Sequence, residues 1–97
     1  MAQFDLHRLD GGALVVDLQS DLIGLDATRL VAPLRPAGRH VALPGLTPLV
    51  RVEGAEWVVR APELAAVRAA LLGPAVGSLA DRRDDLMRAL DILTRGF

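Results

Sequence analysis

The sequence has no cysteine, so neither a disulfide frame nor a thiolate metal site is open to it. Large aromatic side chains are nearly as scarce: Phe4, Trp57 and Phe97 are the whole set. The core is therefore expected to be aliphatic, built from Leu, Val and Ala. The lone Trp57 is read as a core or interface residue rather than a ligand platform. Charge of one sign is also missing, since the formal net charge is −1. Non-specific nucleic-acid binding draws on neutralised phosphates and needs a basic excess, so direct nucleic-acid binding is not expected. Attachment to a membrane surface through a polybasic stretch is disfavoured for the same reason. No apolar run approaches the ~18 residues that mark a membrane-spanning helix. The opening Met1-Ala2-Gln3-Phe4-Asp5 lacks the basic and apolar regions of a signal peptide. The expectation is a cytoplasmic protein.

What is present is a chain of 97 residues with 52 % hydrophobic content, which fits one domain over 1–97 and not a disordered chain. A domain of this size buries only about 60 % of its unfolded surface, so further burial by dimerisation would help it. Phe4 and Leu6 alternate with Asp5 and His7, the period-two pattern of a half-buried strand. Asp10-Gly11-Gly12 suits a hairpin turn, and Ala13 to Leu18 reads as the return strand. Gln19-Ser20-Asp21 ends it, and Leu22 and Ile23 fall in a loop running to Asp26. Leu30 to Leu34 is a short strand, with Pro33 placed where an edge or a strand end would tolerate it. Arg35 to Pro48 is rich in Pro and Gly and reads as loop. Leu49–Val52 and Trp57–Arg60 flank Glu53-Gly54-Ala55-Glu56, a second hairpin. Glu63 to Leu72 has the Ala and Leu of a helix, while its short length and the Gly73-Pro74 after it leave a strand open.

The C-terminal stretch is helical in pattern. Ser78 stands as N-cap with Asp81 in the capping-box position. Leu79, Leu86, Leu90, Leu93 and Phe97 form one apolar stripe. Asp84–Arg88 and Asp91–Arg95 are i,i+4 pairs in the favourable order, and Gly96 supplies a stop. Strands first and one helix last make an α+β pattern with an antiparallel sheet.

Chemistry-bearing clusters are not evident. His7 and His40 are far apart, and surface histidines describe them better than a metal site does. The glycines match no phosphate-binding loop or dinucleotide fingerprint. Ser20, Asp21 and His40 have no spacing that supports a triad. Arg82, Arg83, Asp84 and Asp85 read as a solvated face.

The run Leu14-Val-Val-Asp17-Leu-Gln19-Ser20-Asp21-Leu22-Ile23 resembles the strand of the CcdB family that reads Phe-Val-Asp-Val-Gln-Ser-Asp-Ile-Ile. Leu30-Val-Ala-Pro33-Leu34 resembles that family's Met-Val-Ile-Pro-Leu, and Leu46-Thr-Pro48-Leu-Val its Leu-Tyr-Pro-Val-Val. Trp57 falls on the family's tryptophan after the hairpin, and Leu79 to Phe97 aligns without a gap. The N-terminal hairpin and the Arg35–Gly45 loop are shorter here. The resemblance implies a twisted antiparallel sheet with a small additional sheet and one C-terminal helix, the architecture shared with the Kid and MazF toxins. It also implies that residues 63–72 are extended, at least in part.

In function, the resemblance implies a homodimeric toxin of a type II toxin–antitoxin pair. It would bind the dimerisation domain in the A-type chain of DNA gyrase, trap the enzyme on cleaved DNA, and be neutralised by a CcdA-like antitoxin. No catalytic residues, metal or cofactor are implied. By match, the gyrase-binding residues would be Leu22, Ile23, Asp91, Thr94, Arg95, Gly96 and Phe97. The family's Trp-Gly-Ile ending is Arg95-Gly96-Phe97 here, an adjacent Phe is Thr94, and an Asn is Asp91. Arg95 also has a purely structural account as a helix-end cation paired with Asp91. Two rival readings follow. One keeps the toxin–antitoxin role with a changed target. The other is a MazF-like ribonuclease, which rests on shared architecture alone and wants a basic groove and an acid–base pair that the sequence does not display.

Overall fold

In the computed structural model, residues 2–21, 27–39 and 43–96 are described. Chain order gives β1 (Asp5–Arg8), β2 (Leu14–Asp17), β3 (Thr28–Pro36), β4 (Leu49–Val52), β5 (Ala55–Val59), β6 (Ala65–Arg68), β7 (Gly77–Ser78) and α1 (Arg83–Arg95). Short 3-10 turns lie at Ala37–Arg39, Ala61–Glu63, Ala69–Leu71 and Ala80–Arg82. All strand pairs are antiparallel, in the order β4-β5-β3-β2-β1-β7 with β6 also on β3. The α+β class holds, with a main sheet, a small additional sheet of β4 and β5, and one C-terminal helix.

Two tight turns set the registers. Gly11 and Gly12 both have φ of +92°, a region closed to most side chains, and they join β1 to β2. The second hairpin is tighter than the expected four-residue connection: Glu53 (φ +52°) and Gly54 (φ +81°) alone make the turn. Both left-handed, they have the form of a two-residue I′ turn, which matches strand twist. Ala55 and Glu56 therefore belong to β5.

β3 is longer than expected and it is central. Its first half pairs with β6 (Thr28↔Arg68 to Val31↔Ala65) and its last residues with β5 (Leu34↔Val59 to Pro36↔Trp57). Pro33 sits between these two partners, and its carbonyl accepts from Arg60 N at 2.8 Å. The N–H and C=O of a strand residue point to the same side, so the N–H that proline lacks would face the gap where β3 changes neighbours. A proline is thus tolerated inside a central strand, not at an edge.

Strand alternation sorts side chains onto two faces. Leu6, Leu14, Val16, Ala32 and Leu34 face the main core, where Leu86 of α1 covers them. Val15 and Val31 face the opposite side and pack with Leu72. β2 is consequently buried at all four positions. His7 shares the second face, and it is 1 % exposed, which corrects the expectation of a surface histidine. Its Nδ1–H donates to the Gly73 carbonyl at 3.1 Å, while Nε2 is buried without a partner. His40 lies outside the described residues. Trp57 is half-buried at the margin of the main core, rather than in its interior, and its Nε1–H has no partner.

Residues 63–72 hold the four-residue strand β6 between two 3-10 turns, so pairing with β3 overrides their helix propensity. The C-terminal helix starts later than expected. Ser78 belongs to β7, and its Oγ accepts from Ala80 N at 3.1 Å, capping the 3-10 turn. α1 begins at Arg83 with no side-chain cap. Asp85, not Asp84, takes the ion pair at this end, with Arg82 at 2.8 Å.

Candidate partner-binding surface

The apolar stripe of α1 ends before the helix does. Leu86 and Ala89 are buried and Leu90 is half-buried, whereas Leu93 to Gly96 are exposed. Leu93, a member of the apolar stripe read from the sequence, is 37 % exposed. The helix therefore runs past the core it covers and presents its last turn to solvent.

On that turn Arg95 Nη2 lies 3.6 Å from Asp91 Oδ2, with side chains 61 % and 48 % exposed. The i,i+4 spacing puts them on one face, and the cation faces the negative end of the helix dipole. Thr94 donates its hydroxyl to the Leu90 carbonyl at 2.8 Å. Gly96 terminates α1: its φ is +82°, and its N–H donates to Ile92 O at 2.9 Å. Space is not what demands glycine here, since a Cβ would meet nothing within 4 Å. The backbone angle demands it. The structure thus brings Asp91, Thr94, Arg95 and Gly96 together on one helix end. Leu22, Ile23 and Phe97 lie outside the described residues.

The chemistry of this patch is that of an exposed helix end. It holds a mutually neutralised acid and base, a hydroxyl already engaged, and an exposed leucine. Among the described residues no three His, Cys, Asp or Glu side chains converge to hold a metal ion, and no helix is long and apolar enough to cross a membrane.

Sequence reading missed a polar cluster deeper in the sheet. Asp17 is fully buried at 0 % exposure and Arg29 is 7 % exposed. Arg29 Nε donates to Asp17 Oδ2 at 2.8 Å, and Asp17 Oδ1 accepts from Gln19 N at 2.9 Å. Arg29 Nη2 reaches Gln19 O at 3.3 Å and stands 3.8 Å from Asp21 Oδ1. Asp21 Oδ1 in turn accepts from Gln3 N at 2.8 Å. The available signal was an acid placed between apolar residues of a strand. Its partner lay on the next strand and gave no local sign.

Among solved structures, an endoribonuclease from mycobacterial species shares the fold, with a TM-score of 0.78 and 13 % identity over 96 % of this chain and 89 % of that one. A likeness at that identity speaks to architecture alone. The sequence model of the CcdB protein family matches residues 3–96, nearly the whole length. With the sheet, the single helix and the Asp17–Asp21 run in place, the chain belongs to the CcdB family, and so to the toxins of toxin–antitoxin systems.

Proposed function

We propose that this toxin acts by binding and not by catalysis. It engages the A-type chain of DNA gyrase, traps the enzyme on cleaved DNA, and is neutralised by a cognate CcdA-like antitoxin. The observation that carries this reading is the family match over residues 3–96. The solvent-facing last turn of α1, with Asp91, Thr94 and Arg95 on one surface, supports it. Leu22, Ile23, Gly96 and Phe97 complete the proposed contact set. The working form is a cytoplasmic homodimer. A 97-residue chain gains from extra burial, and a two-fold pair would cover the same patch on each copy. Light scattering at micromolar concentration should report the dimer mass; a monomer refutes that part.

The test of the activity is direct. Purified protein added to gyrase and supercoiled plasmid should yield trapped cleavage complexes, released on adding antitoxin. The fold shared with an endoribonuclease supports a second reading, cleavage of RNA. Cleaved RNA with intact gyrase turnover would establish it instead. If neither occurs, the target has changed.

A further inference from the structure

The segment from Leu43 to Pro48 folds against the first turns of α1 and leaves a cleft of about 230 Å³ lined by Gly45, Pro48, Arg82, Asp85 and Arg88. Its floor depends on a glycine. Gly45 has φ of +76°, and a Cβ there would stand 2.8 Å from Ile92 Cδ1 and 3.9 Å from Arg88 Nε. The backbone can approach the helix this closely only without a side chain.

The polar groups of the cleft are unbalanced. Arg82 Nη2 donates to Leu49 O at 2.9 Å and pairs with Asp85 at 2.8 Å, which fixes that guanidinium as one wall. The Arg88 guanidinium forms the other wall and has no ion pair among the described residues. Two guanidiniums thus face one carboxylate, a surplus of donors and of one positive charge. A planar fork without an acceptor is suited to a carboxylate, which it can hold with two parallel bonds. Leu49, which follows Pro48 and whose carbonyl accepts from Arg82, is 45 % exposed. It offers apolar contact to the neighbour of an incoming acid, which a free inorganic anion would not use.

We infer that this cleft is a docking site for the acidic side chain of a peptide, held by Arg88 with Arg82 as the fixed wall and flanked by Leu49. The inference does not rest on which enzyme the toxin attacks, and its test uses no gyrase. A peptide acetyl-Leu-Glu-Glu-Leu-amide is titrated into the intact protein against acetyl-Leu-Gln-Gln-Leu-amide, followed by the NMR signals of Gly45, the Arg88 backbone and the arginine Nε–H groups. The Glu peptide should shift these signals and the Gln peptide should not. Arg88→Gln, a change at an exposed helix position, should weaken binding by about tenfold or more, the scale of one lost charged hydrogen bond. Arg83→Gln, on the same helix but outside the cleft, should change it less than twofold. Equal binding of the two peptides, or equal weakening by Arg83→Gln and Arg88→Gln, overturns the site. Inorganic phosphate at matched ionic strength is the remaining arm. If it shifts the same signals with an affinity as high as the Glu peptide's, the cleft is a bare anion site and the peptide assignment falls.

Discussion

Arg29, near the start of β3, reaches back to Asp17 at the end of β2, with Nε 2.8 Å from Oδ2 and both side chains buried. The ion pair ties β2 to β3 on the face opposite the main core. A buried pair adds little over a well-packed apolar substitute, but removal of one member strands the other charge. Asp17→Ala or Arg29→Ala should therefore each cost about 3–5 kcal/mol in urea unfolding. The double variant should cost much less than the sum, a coupling that a double-mutant cycle measures directly. Single-variant losses below ~1 kcal/mol, or additive losses, would contradict it.

His7 is the second test of buried polarity. Its Nδ1–H is bonded to Gly73 O at 3.1 Å, so it clamps the turn that follows β6 onto the back of the sheet. His7→Leu keeps most of the volume but leaves that carbonyl unsatisfied, at about 1–3 kcal/mol. His7→Asn can supply a donor in the same position and should recover part of the loss. Amide exchange in residues 69–73 should accelerate in the Leu variant. Unchanged stability and exchange would show that the carbonyl finds water instead.

Local rules made the hairpins and the last helix legible. Asp10-Gly11-Gly12 marks a turn by backbone freedom, Glu53-Gly54-Ala55-Glu56 marks a second hairpin though not its two-residue turn, and Leu86 and Leu90 mark a helix face by spacing. What the chain did not disclose depends on partners distant in sequence. Pro33 looks like a strand end until β5 and β6 are seen to share one side of β3. His7 looks like a surface residue until Leu72 and Gly73 close over it. Ser78 looks like a helix cap until β1 recruits it as a strand partner of Asp5. Of the candidate surface, the helix end was legible as a capped terminus. The exposure of Leu93 was not, because periodicity gives direction and says nothing of where the core stops.

Glu53 holds a left-handed backbone at φ +52° without being glycine. Such a conformation costs a non-glycine residue about 1–2 kcal/mol, and Asn bears it better. Glu53→Asn should stabilise the protein by about 0.5–1 kcal/mol, read as a raised midpoint in thermal or urea unfolding with no change in slope. A lowered midpoint would mean that Glu53 makes a stabilising contact that outweighs its backbone cost.

Trp57 carries a buried Nε1–H with no partner, although its ring packs on the core margin. Trp57→Phe removes the unsatisfied donor along with some apolar area. The two effects oppose each other, and the net change should lie within about 1 kcal/mol. Trp57→Ala has no such compensation and should cost about 2–4 kcal/mol, at or somewhat below the full range for a buried aromatic because the ring is half-buried. Equal losses for Phe and Ala would show that the indole nitrogen is satisfied in solution.

The helix end carries the last prediction, which rests on the proposed gyrase reading. Asp91 and Arg95 form an exposed pair at 3.6 Å, a geometry that contributes at most a few tenths of a kcal/mol. Arg95→Trp should therefore leave the melting temperature nearly unchanged. Its effect belongs to the partner surface. An interfacial Trp commonly contributes about 2 kcal/mol or more by truncation, and Arg adds a charge and less apolar area. The native protein should accordingly bind enterobacterial-type gyrase about 30-fold more weakly than a tail ending in Trp-Gly-Phe does. Arg95→Trp should recover that factor. Deletion of residues 95–97 should abolish gyrase binding, cost only the C-cap in stability, and leave antitoxin binding close to that of the parent. The measurements are gyrase affinity, antitoxin affinity and melting for parent, Arg95→Trp and the deletion. A deletion that binds gyrase as tightly as the parent would show that the end of α1 is not the contact surface.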